Sequence, residues 1–286
     1  MTKERKDWIC FAGFAGVALL LSACLTGLSS LDRTAEIPYL WSLLVKMGLL
    51  LLVGLIISLT GTRGKLVGKQ YLTQDIFWIL IPLFLTVCVS FGFFNTHPGI
   101  LTGVMLLLNT IATVLWEELY YRFFSRLLFE RNGAYHVRWV ILTALVFGAS
   151  RLPAAFVSTF GTVLLQSVLA ASEGVFLLAL YAKSGSILLP MISHFLTSSV
   201  TVFFHAFSTN AEGIFGLGGV FLALLTVMYS AIGFWLLFSS HRIAERKRKI
   251  KATEERSPVP QVAPTPAPEE LPSDPESAEM ASADRL

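Results

Sequence analysis

Long apolar runs constrain the fold of this 286-residue chain more than any other feature. A helix that crosses the hydrocarbon core of a bilayer needs about 20 mostly apolar residues. Eight segments are of this kind, at approximately residues 8–31, 37–60, 72–94, 100–129, 135–151, 159–182, 186–208 and 213–238. Only 14% of the residues are charged, whereas soluble domains carry about 25%. The sequence therefore predicts an all-α, polytopic membrane protein with about eight transmembrane helices.

Two of these segments depart from the usual length. The fourth is too long to cross perpendicular to the bilayer, so it is expected to tilt or to project from it. The fifth is the shortest, and Pro153 is expected to end it because the residue before a proline is biased away from the helical conformation.

Basic residues alternate with the crossings, which indicates the topology. They gather at residues 3–6, 63–69, 126–138, 183 and 242–251. The loops between these clusters carry little positive charge apart from Arg33 and Arg151. Because cytoplasmic loops are enriched in lysine and arginine, the pattern predicts a multi-pass protein of the cell membrane with both termini in the cytoplasm.

Composition divides the chain into three parts. Residues 1–7 form a short cytoplasmic N-terminus, and residues 8–240 form the membrane domain. Residues 241–286 begin with the basic run 242–251 and continue with seven of the twelve prolines. Such a segment buries too little apolar area to fold, which predicts a disordered cytoplasmic tail. Its basic run is expected to bind anionic lipid rather than nucleic acid, because it lies beside a membrane span.

The three cysteines, Cys10, Cys24 and Cys88, lie in apolar runs and have no metal-ligand spacing. They are predicted to be buried apolar side chains, and neither a disulfide, a metal nor another cofactor is expected. The sequence before Cys24 resembles a bacterial lipoprotein signal, although an ordinary first transmembrane helix explains it as well.

The fourth segment carries two adjacent carboxylates, Glu117 and Glu118, followed by Arg122. Each charge at the centre of a membrane helix costs about 2.5–3.5 kcal/mol on insertion scales. Glu118 and Arg122 are four residues apart and are predicted to pair on one helix face. Glu117 points about 100° away from that face, which leaves it available as a general base. The competing interpretation is a cluster of ion pairs at the cytoplasmic end of the helix.

His194 lies in the seventh segment. If that helix begins near Ser186, His194 is about 12 Å deep, and Glu117 is about 13 Å from Arg126 by the same rise per residue. The two side chains are therefore predicted to face each other at one level. The alternative is a hydrogen-bonded core histidine without a functional role.

These residues form a pattern that resembles the CAAX-protease and bacteriocin-processing (CPBP, or Abi) family. The residues Glu117-Glu118-x-x-x-Arg122 are similar to its first motif, E-E-x-x-x-R. The second motif, F-x-x-x-H, is matched by Phe147-Gly148-Ala149-Ser150-Arg151. The third region, which ends H-x-x-x-N, is matched by Gly174, Tyr181, Gly185-Ser186-Ile187 and His194 to Ser198. Order and spacing agree over about residues 110–200, and the CPBP-like core is expected at about residues 100–208.

The resemblance implies an eight-helix intramembrane glutamic endopeptidase, with bacterial relatives that process bacteriocins or confer immunity. By similarity, Glu117 activates water, His194 and the residue at position 198 stabilise the oxyanion, and Glu118 and Arg122 brace the helix. The expected substrate is a membrane-embedded or membrane-associated peptide or protein.

Two positions depart from the family pattern. Arg151 replaces the histidine of the second motif, and Ser198 replaces the asparagine of the third. Arginine cannot exchange protons near neutral pH, so activity is expected to be reduced, whereas a serine hydroxyl can still donate to an oxyanion. Arg151 could instead snorkel at the edge of a span.

Three functions follow from these residues. The first is an active peptidase or one that Arg151 weakens. The second is a catalytically impaired relative that acts as a membrane regulator, immunity protein or partner-binding protein. The third and least supported is a transporter that uses the same polar groups as a relay.

Overall fold

The computed structural model describes seven parts of the chain. They are residues 3–32, 39–62, 72–90, 99–131, 134–156, 158–207 and 223–239. All of them belong to one compact unit, Met1–Glu245. The predicted tail 241–286 and its lipid-binding run 242–251 lie outside the described residues, so the predicted domain division stays a prediction.

The described residues form eight long helical segments. They are α1 (Lys3–Asp32), α2 (Leu40–Thr60), α3 (Leu72–Ser90), α4 (Ile100–Phe129), α5 (Val137–Ala149), α6 (Phe160–Ser184), α7 (Leu188–Phe207) and α8 (Ala223–Ser239). A 3-10 turn, Leu152–Phe156, follows α5, and two antiparallel strands of two residues each, Glu130–Arg131 and Ala134–Tyr135, join α4 to α5. The protein is therefore helical, as predicted.

Five of these helices are long and apolar enough to cross a membrane. They are α1, α2, α4, α5 together with its 3-10 turn, and α6, while α8 is a shorter apolar helix. Helices suit this environment because every backbone polar group in hydrocarbon must be satisfied within the protein. Their outer faces expose large apolar side chains such as Leu59, Ile100 and Phe156. The chain is a polytopic membrane protein, and the number of eight spans and the orientation of the termini stay predictions.

Helix α5, which corresponds to the fifth predicted segment, is the shortest of the eight helical segments in the described residues. Its α-helical part ends at Ala149, and the chain then turns through Ser150 and Arg151 into the 3-10 turn that contains Pro153. This ending agrees with the predicted effect of the proline and places Arg151 in the turn.

Helix α6 forms the centre of the core. Phe176, Leu177, Ala179 and Leu180 on this helix have no exposed surface, and a helix that is apolar on all sides is typical of a buried position. Glycines allow its neighbours to approach. Gly233 of α8 packs directly on the backbone of Phe176.

The contact between α5 and α6 also depends on small residues. A Cβ atom at Gly148 of α5 would lie 2.7 Å from the Cβ of Ala171 on α6. A Cβ atom at Gly174 of α6 would lie 3.2 Å from Ala144. Small residues at such crossings let helix backbones pack closely in membranes.

The cysteines differ from the expectation of buried side chains. Cys10 and Cys24 are both free and exposed; the side chain of Cys88 lies outside the described set. The exposed pair lies on α1, whose other face packs on the core through Phe14 and Ala18. A small apolar side chain is suited to contact with lipid as well as to a protein core. The sequence pattern alone therefore did not distinguish an exposed cysteine from a buried one.

Replacing Gly148 with alanine is expected to lower the free energy of unfolding by about 1–3 kcal/mol, because overpacking forces the two backbones apart. Unfolding in detergent micelles measures this change. Gly161→Ala is a matched control, because a Cβ at Gly161 of α6 meets nothing within 4 Å. Equal stability of the two variants would contradict the close α5–α6 contact.

Candidate active site

The two glutamates lie where α4 changes its helical geometry. The helix is α-helical from Ile100 to Glu118, π-helical from Leu119 to Phe124, and α-helical again from Ser125. Glu117 is 8% exposed, and Glu118 and Arg122 are completely buried. Single π-helical turns within α-helices occur frequently at functional sites. The motif thus combines buried charge with an irregular backbone.

Glu118 and Arg122 form the predicted pair. Their closest atoms, Oε1 and Nη1, are 3.4 Å apart. The guanidinium of Arg122 also lies over the ring of Phe147 on α5, with its Cζ atom 4.3 Å from the ring centroid. Such cation–π contacts gain strength where water is excluded. Arg122 therefore joins α4 to α5 as well as compensating the charge of Glu118.

The turn after α5 brings Arg151 to the other glutamate. Its Nη2 atom lies 2.9 Å from Oε2 of Glu117, and its Cζ atom lies 5.0 Å from the centroid of the Phe147 ring. The backbone N–H of Arg151 donates to the carbonyl of Gly148, which continues the helix end into the turn. Arg151 is thus directed at Glu117 rather than along the outer edge of a span.

His194 of α7 lies between the two glutamates. Its Nδ1 atom is 2.7 Å from Oε1 of Glu118, and its Nε2 atom is 3.6 Å from Oε2 of Glu117. The ring also contacts Phe147 edge-on, at 6.0 Å between centroids. The two helices therefore do face each other, but the hydrogen bond of His194 falls on Glu118 and not on Glu117. The π-helical turn that follows Glu118 could not be foreseen from residue spacing.

Local sequence explains where α7 begins. Gly185 ends α6 with a φ of 71°, a left-handed conformation that glycine adopts without steric cost. The hydroxyl of Ser186 then accepts a hydrogen bond from the backbone N–H of Leu188 at 3.3 Å, which satisfies one of the free donors at a helix N-terminus. These two residues set the entry of α7 and hence the level of His194.

Ser198 follows His194 by about one helical turn on α7. Its neighbour Thr197 is buried and donates toward Oε1 of Glu173 on α6, at 3.2 Å. Glu173 was missed by the sequence reasoning. A carboxylate inside an apolar segment is itself a signal for function. Glu173 was overlooked because it does not belong to any of the three motifs.

Residues 99–200 match the family described as Type II CAAX prenyl endopeptidase Rce1-like. The chain is similar to this family over that segment, which is less than half of its length. The match confirms the resemblance inferred from the motifs, and it contains Glu117, Glu118, Arg122, Arg151 and His194. No curated protein and no solved structure gives a significant match.

The segment that matches this family brings several ionisable side chains together. Two carboxylates, one imidazole and two guanidiniums meet from α4, the turn after α5, and α7. No group of three or more metal-ligating side chains arranged to hold an ion occurs among the residues that the structure describes. The catalytic roles of the site residues, and the absence of a metal, stay predictions.

Replacing Arg122 with methionine is expected to lower the free energy of unfolding by about 3–5 kcal/mol, because it removes the guanidinium that compensates the buried charge of Glu118. The double variant Glu118→Gln/Arg122→Met should recover much of this loss. Arg138→Met is a surface control, since its ion pair with Glu4 is exposed and contributes at most about 1 kcal/mol. Denaturant unfolding in micelles compares the three. A double variant no more stable than Arg122→Met would contradict the pairing.

Proposed function

We propose that this protein is an intramembrane peptidase of the CAAX-endopeptidase type, with Glu117 as its general base. The observation that carries the proposal is that Glu117, Glu118 and His194 are buried and lie close together within the segment that matches this family. The substrate class is a membrane-embedded or membrane-associated peptide or protein.

The proposed reaction begins at Oε2 of Glu117. This carboxylate takes a proton from water while the oxygen of that water attacks the scissile carbonyl. The carbonyl oxygen becomes negatively charged and requires hydrogen-bond donors. When the carbon–nitrogen bond breaks, the proton held by Glu117 passes to the leaving amine. Glu118 and Arg122 hold the helix that carries the base.

His194 is placed to serve the oxyanion. Its Nε2 atom lies 3.6 Å from Oε2 of Glu117, which is longer than an ordinary hydrogen bond. That edge of the ring is therefore not committed to Glu117, although it lies beside the proposed base. Ser198, one helical turn further, adds a hydroxyl that can donate to the same oxygen.

Arg151 is proposed to reduce the activity. It stands where the family motif has a histidine, and it holds Glu117 by an ion pair at 2.9 Å. A guanidinium cannot take up and release protons near neutral pH, and losing one acid–base group typically costs 10²–10⁴ in rate. Protonation of Glu117 would also remove the negative charge on which this ion pair depends.

The same ion pair favours a second candidate function. A glutamate that is permanently held by Arg151 would leave a membrane protein that binds a peptide or partner without cutting it. Such a protein would act as a regulator or an immunity factor.

A peptidase assay separates the two candidates. Purified protein in phosphatidylethanolamine–phosphatidylglycerol vesicles receives a library of membrane peptides, including prenylated CAAX-type peptides, and products are measured by mass spectrometry. We expect slow cleavage that Glu117→Gln abolishes. Arg151→His is expected to raise kcat by about 10²–10⁴-fold, because it restores the missing acid–base group.

Glu4→Gln is the matched control, since Glu4 is an exposed carboxylate on α1 outside the site, and it should cleave as the unmodified protein does. If only Arg151→His cleaves, the impaired-relative function is correct. If neither protein cleaves any peptide in a Glu117-dependent manner, the peptidase proposal fails.

A further inference from the structure

The pair of Glu118 and Arg122 is joined by charge but not by a hydrogen bond. Its closest atoms, Oε1 and Nη1, lie 3.4 Å apart, and neither residue has any exposed surface. All three guanidinium nitrogens of Arg122 are buried, and none of them makes a hydrogen bond with any residue that the structure describes. Oε2 of Glu118 is buried in the same way, without a donor in that part of the chain. Because a guanidinium offers five N–H donors, much hydrogen-bonding capacity remains at this point.

The side chains around the pair do not take up this capacity. The Nδ1 atom of His194 lies 2.7 Å from Oε1 of Glu118 and leaves Oε2 aside. The ring of Phe147 lies 4.3 Å from Cζ of Arg122. An aromatic face stabilises the positive charge of a guanidinium, but it offers no oxygen or nitrogen to the N–H groups.

A third polar side chain, on the neighbouring helix, is in the same state. Thr143 of α5 is completely buried, and its hydroxyl makes no hydrogen bond within the described residues. Thr86 of α3 and Thr110 of α4 instead donate to the carbonyl four residues earlier, a common arrangement for a helical threonine. Thr143 and Phe147 are four residues apart and share one face of α5. Because the ring of Phe147 lies against Arg122, the polar groups without partners are on the facing sides of α4 and α5.

Water is the ligand that suits these groups. A buried donor or acceptor without a partner costs more free energy than the immobilisation of one water molecule, most of all when the group is charged. An inorganic anion would be repelled by Glu118 and a metal cation by Arg122, whereas water both donates and accepts. Buried water typically makes about three hydrogen bonds to polar groups that the protein itself leaves unsatisfied. A water that accepts from Arg122 and donates to Oε2 of Glu118 satisfies both.

We propose that Glu118, Arg122 and Thr143 form a buried hydration site, in which ordered water completes the hydrogen bonds of the ion pair between α4 and α5. The site begins one residue along α4 from the proposed base, Glu117. The inference goes beyond the proposed function, because it depends on hydrogen-bond satisfaction and not on cleavage.

X-ray radiolytic labelling detects such water, because the hydroxyl radical that bound water yields adds to the side chain beside it. Purified protein in phosphatidylethanolamine–phosphatidylglycerol vesicles is irradiated in ¹⁸O-water, and labelled residues are measured by mass spectrometry. Phe147 is the reporter, since it is 1% exposed and its ring lies on Arg122. Phe176 is the matched control, a buried ring in the apolar core. We expect ¹⁸O on Phe147 and background on Phe176. Labelling of Phe147 no greater than that of Phe176 would overturn the inference.

Variants assign the water to the pair. The Cζ atom of Arg151 also lies near the Phe147 ring, at 5.0 Å, so water beside Glu117 could label the same ring. In Glu118→Gln/Arg122→Met the guanidinium is replaced by an apolar side chain, and labelling of Phe147 is expected to fall to that of Phe176. Arg151→Met keeps the pair and should keep the label. If Phe147 stays labelled in the double variant, the pair does not hold the water and the inference fails.

The control ring also reports on folding, because an unfolded chain exposes both phenylalanines to labelling. If the double variant labels Phe176 as strongly as Phe147, Thr143→Val decides. Valine has the shape of threonine but cannot bind water, so labelling of Phe147 should fall while Phe176 stays at background. Unchanged labelling of Phe147 in Thr143→Val would then overturn the inference.

Discussion

The cost of placing carboxylates inside apolar helices governs the centre of this protein. Glu118 is completely buried, and a buried charge is tolerated only with a close partner and hydrogen bonds. Arg122 and His194 both approach its Oε1 atom. The need to compensate this one side chain ties α4 to α7 directly and to α5 through the contact of Arg122 with Phe147. The geometry of the neighbouring Glu117 follows from that arrangement.

Helix α1, which lies outside the segment that matches the family, supports the site through two hydrogen bonds. The hydroxyl of Tyr120, on the π-helical turn, donates to the carbonyl of Phe14 on α1 at 2.6 Å. The hydroxyl of Ser22, also on α1, donates to the carbonyl of Ser150, next to Arg151. The bond to Ser150 satisfies a carbonyl at the C-terminal end of α5, where carbonyls lack intrahelical partners. The two bonds also fix the segments that carry Glu117 and Arg151, so the first helix is part of the structural support of the site.

Arg151 gives the site a different electrostatic balance from the family pattern. A histidine at that position would share protons with Glu117, whereas the guanidinium pairs with it and stays charged. The turn after α5 therefore supplies a fixed positive charge beside Glu117.

The sequence by itself determined the helical membrane fold, the segments that form the helices, and the pair Glu118–Arg122, because apolar run length and helical spacing are local properties. It also identified Arg151 and His194 as site candidates through motif order. Only the tertiary structure decided that His194 bonds to Glu118, that Arg151 reaches Glu117, and that Glu173 accepts a hydrogen bond from Thr197. Those contacts depend on the π-helical turn in α4, on the glycine contacts that set the approach of α5 to α6, and on the way α7 enters after Gly185. They join residues far apart in the chain, so no local spacing specifies them.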